Sequence, residues 1–366
     1  MLGFDVSRLL DRMCELSPRV QDLIFAVGKP PLVTVDGEMR PVKLDGVERL
    51  TPFQVEMVAL HLLVAAPHAA AMVRERGAAS FTFPVPGRSR YRVSVFLQRG
   101  SFAAVLRAIP SGTPRLAQLG LEQQLADVAD LRTGIVLVNG PAGSGRSTTI
   151  AALIEEINHR RSCHVITVEA PIEFLHAHGQ AVVHQREVGP DTPSLRAGLE
   201  DALQQGADVI VLSELPDAET ALLALEAAET GHLVISSLRG LDTGSALRRL
   251  TGLFEMDERE AVCHQLARSL SLSFTQRLIA KPSGGRQLVA EVWRSLPTTR
   301  EQLDLGELAS AKIADALRDA TAFGTVPFDL ALERLVRGGM VDRDVAMAEA
   351  VVPHQLELRL MDFEDS

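Results

Sequence analysis

Apolar and polar positions change rhythm near residue 110. Before it, short stretches alternate between helical and strand periods. MLGFDVSRLLDRMCELS carries its apolar residues on one helical face, and residues 51–76 keep the same period. LVTV and EMRPV flank Asp36-Gly37, the sequence of a tight hairpin turn, and Tyr91 to Phe96 alternates like a strand. Ile109-Pro110-Ser111-Gly112-Thr113-Pro114 then breaks both rhythms and predicts a domain boundary, giving domains 1–112 and 113–366. Beyond it come unbroken apolar runs: GIVLVNG (134–140), His164–Val168, Asp208–Leu212 and Leu233–Ser237. Helical segments separate them, the first from Arg146 to His159. Strand, loop and helix in alternation predict an α/β core. From about Glu301 the pattern is helical to the end, interrupted by Gly324 and Pro327.

Length agrees with two domains, since 366 residues is about twice the usual domain size. A hydrophobic content of 46% is enough for a full core. The net charge of −10 argues against a broad nucleic-acid or anionic-membrane surface. Cys14, Cys163 and Cys263 are odd in number and far apart, which fits a reducing cytoplasm and supplies neither a disulfide framework nor a zinc site. The first residues lack a basic region followed by an apolar core, and no run approaches the ~18 apolar residues of a membrane span. The expectation is a cytoplasmic protein that meets a membrane only through a partner.

Chemistry enters at residues 140–148, GPAGSGRST. The spacing of Gly140, Gly145, a cation and Ser147 fits the phosphate-binding loop G-x-x-x-x-G-K-[ST] at every position but one. Gly140, Gly143 and Gly145 let backbone N–H groups close around phosphate oxygens, with Ser144 and Thr148 inside the same loop. Ser147 offers a hydroxyl to Mg²⁺. Arg146 holds the place of the lysine that reaches the β- and γ-phosphates, and its guanidinium is planar, bulkier and forked. The loop points to ATP and Mg²⁺. DVIVLSE (208–214) is an apolar strand ending in Glu214, where such enzymes keep a carboxylate beside metal and water; a solvated strand-end acid is the alternative. VEAPIEF (168–174) brings Glu169 and Glu173 to the end of another strand. His164, His176, His178 and His184 are dense but lack the spacing of a metal site. Trp293, in the strand-like LVAEVW, reads as core packing.

With these segments in order, the chain resembles the type IV pilus retraction motors (PilT-like) of the secretion ATPase superfamily. The resemblance rests on KPPLVTVDGEMRPV, RYRVSVFLQRGSFAAVLRAIP, the phosphate loop, VITVEAPIEFLH, HQREVGPDT, AAETGHLV and the tail FDLALERLVRGG. It implies a PAS-like N-terminal α+β domain and a RecA-like nucleotide-binding domain with a helical C-terminal region. It further implies a hexameric ring, ATP hydrolysis, and work on the inner-membrane platform protein of the pilus machine. In the family, cations of the N-terminal domain help hold phosphates; Arg90, Arg92, Arg99 and Arg107 match them, with exposed strand arginines as the alternative. Glu214, Glu169 and His232 match the catalytic positions.

The departures from the family pattern fall on the chemistry. Arg146 replaces lysine, Ala170 an aspartate, Glu200 and Gln204 two arginines, Ser213 a glycine, Pro216 an arginine and Arg239 a second histidine. Near residue 300 the chain reads TTREQLDLG and keeps only Arg300 of a segment tied to retraction. Drift at tolerant surfaces would scatter such changes, yet AAETGHLV and QREVG stand intact among them. The favoured expectation is nucleotide binding with weak or absent hydrolysis. The alternatives are an active retraction ATPase with a variant loop, a non-catalytic partner of an intact paralogue's ring, and a different secretion or gliding apparatus built on the same fold.

Overall fold

Helix α1 (Val6–Glu15) forms because Val6, Leu9, Leu10, Met13 and Cys14 fall on one face and are buried there together. The computed structural model describes residues 6–17, 20–35, 38–43, 47–84, 90–109, 112–306 and 308–364. Two units divide the chain. One holds Met1–Gly112 with Ala170–Leu175 and Glu187–Pro193; the other holds Thr113–Glu169, His176–Arg186 and Ser194–Ser366.

In the first unit six strands form an antiparallel sheet: β1 (Val20–Phe25), β2 (Leu32–Val35), β3 (Glu38–Pro41), β4 (Ala78–Pro84), β5 (Arg90–Gln98) and β6 (Ser101–Ala108). Their order is β3-β2-β1-β6-β5-β4. Val35 of β2 pairs antiparallel with Glu38 of β3; the tight turn expected at Asp36-Gly37 lies outside the described residues. The boundary residues Pro110 and Ser111 also lie outside them. One face of the sheet is apolar: Leu23, Phe25, Val93, Val95 and Leu106 share a core with Met13, Val55, Leu62 and Val73. The helical stretch 51–76 is two helices, α2 (Pro52–Val64) and α3 (Pro67–Arg76). Thr51 and Gln54 close a capping box over the start of α2. Pro67 ends that run, since the residue before a proline is pushed out of the helical region and Ala66 sits at φ −138°, ψ 74°.

The second unit is built on seven strands: β7 (Gly134–Asn139), β8 (His164–Glu169), β9 (Val182–Glu187), β10 (Val209–Leu212), β11 (Leu233–Leu238), β12 (Leu270–Ala280) and β13 (Arg286–Arg294). The sheet order is β13-β12-β7-β11-β10-β8-β9. β12, β7, β11, β10 and β8 run parallel, and β13 returns antiparallel to β12. Every residue of β7, β10 and β11 is buried, as expected where helices cover both faces of a parallel sheet. Two one-turn helices come first, α4 (Leu116–Leu119) and α5 (Glu122–Leu125). The connections are α6 (Arg146–Arg160), α7 (Leu195–Gln204), α8 (Ala218–Glu229), α9 (Thr243–Thr251) and α10 (Arg259–Ser269).

The C-terminal helices are α11 (Pro297–Asp304), α12 (Ser310–Asp319), α13 (Phe328–Arg337), α14 (Arg343–Glu349) and α15 (Pro353–Glu364). Phe328, Leu332, Val341, Ala346, Leu356 and Leu360 make a small core of their own against Ile279 and Val289 of the hairpin. Arg277 of β12 joins the two parts. It donates to the Leu241 carbonyl from Nε and Nη2 (2.9 and 2.7 Å) and to the Glu349 carbonyl (2.6 Å), and it stacks 3.8 Å over the Phe328 ring. No helix among the described residues is long and apolar enough to cross a membrane.

Candidate functional site

β7 ends at Asn139, and Gly140 turns the chain out of the sheet at φ 153°. Only glycine fits: a Cβ would lie 2.4 Å from the Gln276 carbonyl oxygen and 2.4 Å from Ser144 Oγ. Gly145, at φ 89°, is the N-cap of α6, so Arg146, Ser147 and Thr148 form that helix's first turn. The first N–H groups of a helix have no partner within it and sit at the positive end of its dipole, which makes this turn an anion site. Ser144 Oγ, 2% exposed, has no protein partner among the described residues, and Ser147 is exposed. An orphaned buried hydroxyl inside a glycine loop at a helix start fits a phosphate group and the Mg²⁺ that travels with it.

Gln276 holds this loop in shape. Fully buried on β12, it donates from Nε2 to the Ser144 carbonyl (2.7 Å) and accepts at Oε1 from Thr149 Oγ1 (2.7 Å). It therefore grips the loop on one side and α6 on the other. A glutamine in an apolar strand carries no spacing signature, so the sequence alone gives no sign of this role.

Beside the loop is a cavity of about 280 Å³ whose polar lining is Arg146, Glu214, Ser237, Arg239 and Arg249. Arg146 Nη1 donates to Ser237 Oγ (3.4 Å), which donates on to the Ser213 carbonyl (2.7 Å). Glu214 follows β10, Arg239 follows β11 and Arg249 comes from α9. All lie at the carboxyl ends of the strands, where the sheet order switches direction around β7 and open α/β sheets bind ligands. Three guanidinium groups about one carboxylate leave the cavity cationic. Arg249 had no motif to announce it.

Glu169 sits at the same edge, at the end of β8 next to β10. It accepts from Thr167 Oγ1 (2.7 Å) and Gln185 Nε2 (3.0 Å) and does not line the cavity. His232 is elsewhere. It precedes β11, with Nδ1 3.1 Å from the Ala227 carbonyl, so the six-residue strand at about 3.3 Å per residue sets it roughly 20 Å from the loop edge of its own chain. In the first unit, Arg90 and Arg92 stand on the exposed face of β5, and Arg107 is opposite Arg92. Arg107 Nε donates to Asp22 (2.8 Å), and that hydrogen bond raises its pKa further. Arg99 is not with them: at φ 50° beside Gly100 at φ 74° it makes the β5–β6 turn, nearly 30 Å along the strand from Arg90. His164 Nε2 and His184 Nδ1 meet at 2.9 Å, whereas His176 Nδ1 pairs with Glu155 (2.8 Å). Trp293 is wholly buried.

A buried polar network ties the loop strand to α9. Asn139 Nδ2 donates to Ser273 Oγ (2.8 Å), and Thr243 Oγ1 contacts both Ser273 (3.1 Å) and Thr275 (3.3 Å). Glu291 of β13 accepts from the Thr243 N–H (2.7 Å) at the first turn of that helix. Burial pushes the Glu291 carboxyl up to about 7, above the 4.5 of an exposed glutamate. A carboxyl held protonated in the fold stabilises it fully below pH 4.5, and the benefit is lost as pH rises through 7. We expect Glu291→Gln, which keeps the acceptor but cannot ionise, to flatten this dependence. Relative to the variant, the unaltered chain should lose on the order of 3 kcal/mol between pH 4.5 and 8 in urea titrations.

The comparisons with known proteins agree with this architecture. The family model described as type II/IV secretion system protein matches residues 62–303. The chain is 34% identical to the type IV pilus retraction ATPase PilT of Pseudomonas aeruginosa over 91% of its own length and 94% of that protein's. It is 33% identical to the type IV pilus ATPase PilU of the same organism, over 93% and 87%. A crystal structure of the pilus retraction motor PilT with bound ADP superposes with a TM-score of 0.85 at 34% identity, covering 96% of this chain and 98% of that one. The fold is thus that of an N-terminal domain and a RecA-like ATPase domain with a helical C-terminal region. The chain belongs to the type II/IV secretion ATPase family, among the PilT-like pilus retraction ATPases.

Proposed function

We propose that this protein binds ATP–Mg²⁺ in the loop 140–148 as a ring-forming member of a pilus retraction machine, and that it hydrolyses the nucleotide weakly or not at all. The observation that carries the binding half is the glycine cradle at the start of α6, locked by Gln276 and facing a cavity of three arginines. The loop N–H groups and Ser144 would hold the phosphates, Ser147 the metal, and Arg146, Arg239 and Arg249 the outermost charge. Bound Mg²⁺ would neutralise charge developing on the transferred phosphoryl group. Glu214 would orient water. Calorimetric titration should return a Kd in the micromolar range, about −7 to −8 kcal/mol. No saturation up to millimolar ATP would remove this reading. Arg249→Glu should weaken ATP about tenfold while changing ADP affinity far less, because Arg249 would meet only the outermost phosphate charge.

The loss of turnover is inferred from substituted positions. Arg146 already engages Ser237, and Glu200 and Gln204 are exposed on α7, with Glu200 occupied by Arg196 (3.0 Å). Where the family carries arginines, this chain has no cation to offer a neighbouring copy's phosphates. The reading extends to domains 1–112 and 113–366, with Arg90, Arg92 and Arg107 toward a nucleotide. It also extends to a hexameric ring, alone or mixed with an intact paralogue, working from the cytoplasm on the platform protein. Heterologous contacts of that kind close when the rotation allows. Light scattering that finds monomers alone, with and without nucleotide, would count against the ring.

A further inference from the structure

Helix α2 is apolar on both sides. Val55, Val58, Ala59, Leu62 and Leu63 enter the core of the first unit. On the opposite face Phe53, Met57, Leu60 and Val64 remain 67, 36, 46 and 82% exposed. Their spacing of four, three and four residues is the seam of a two-heptad coiled coil, with Phe53 and Leu60 at d and Met57 and Val64 at a. A helix apolar all round belongs in an interior, so this face lacks its cover.

We propose that the cover is the α2 of a second copy, lying parallel and in register about a two-fold axis along the helix. Charge selects this arrangement over the antiparallel one. Glu56 and His61 flank the seam at g and e, five residues apart. In a parallel pair the g side chain of one helix meets the e side chain five residues on in its partner. Both Glu56 carboxylates would then accept from His61 of the other copy. Antiparallel pairing would instead set the Glu56 side chains on one side of the seam, facing each other. A β-branched residue at a with leucine at d also favours two strands, as Val64 and Leu60 provide. The contact is isologous and so differs from the head-to-tail contact of a ring. It does not depend on nucleotide binding. Two heptads form a small interface, below the size of most stable pairs, so covalent trapping is the suitable readout.

The test uses the full chain with one added cysteine, at Phe53→Cys or at Val64→Cys, under mild oxidation. Both positions are exposed, so the fold should survive; unchanged circular dichroism and nucleotide titration would verify this. Cys14 and Cys263 are buried and Cys163 is half-buried, and the unaltered chain is the background control. Each variant should form a disulfide-linked dimer with itself. A mixture of the two should give no Phe53-to-Val64 link, because eleven residues separate those positions by about 16 Å along a helix. His61→Glu should slow trapping about fivefold, and adding Glu56→Lys should restore it. Absence of self-linked dimers, or linkage only in the mixture, would overturn the proposal.

Discussion

A chain carrying Arg146→Lys, Ala170→Asp, Glu200→Arg and Gln204→Arg together is expected to hydrolyse ATP about 10³-fold or more faster than the unaltered protein. Phosphoryl transfer needs an acid near the water, cations on the γ-phosphate and a compensating charge brought in trans. In the proposed function Glu214 would supply the first. Removing one charge-stabilising contact costs about 10²–10³ in rate, and a missing arginine finger about 10³–10⁵. Members of one constellation act as a unit, so Arg146→Lys alone should recover less than about tenfold. Glu214→Gln should barely lower the unaltered chain's background rate but abolish the gain in the fourfold variant. The measurement is phosphate release by purified protein at saturating ATP. Brisk turnover by the unaltered chain that vanishes with Glu214→Gln would make it an ordinary retraction motor with substituted charges.

Gly140→Ala should remove ATP binding altogether, a loss of about 10³-fold or more. The added Cβ would sit 2.4 Å from a backbone oxygen of β12, which cannot rotate away as a side chain can. Either the loop lifts off Gln276 or the strand pairing beneath it shifts, and both dismantle the cradle. Gly143→Ala makes the useful contrast. Its φ of 77° is equally left-handed, but nothing lies within 4 Å of a Cβ there. Only the backbone cost of about 1–2 kcal/mol remains, so affinity should fall roughly tenfold. Equal losses in the two variants, by fluorescent-nucleotide titration, would show that contact with β12 is not what shapes the loop.

The sequence made the parallel strands legible because a strand buried on both faces is a continuous apolar run, as in Ile135–Val138 and Val209–Leu212. The glycine loop was legible because its spacing is local. The β12–β13 hairpin was harder to see, since Gln276, Arg277 and Glu291 interrupt it with groups whose partners lie far along the chain. Those interruptions are the parts that brace the site. Arg249 shows the same limit: it reaches the cavity through the placement of α9, which Asp242, Thr243 and Glu291 fix together. His232 shows the converse. Its neighbours in sequence match a catalytic segment, but a strand has two ends, and this residue stands at the one away from the loop.

Arg277 bears on how the chain tolerates being shortened. A stop codon after residue 300 would strip away Phe328 and Glu349, leaving a guanidinium built for burial with half its partners gone. The remaining bonds run to Leu241, in the segment that follows Arg239 out of β11. The terminal helices thus brace the phosphate-loop edge of the sheet from behind, like a keystone set from outside the arch. Trimming them for easier handling would disturb the very chemistry such a fragment was made to study.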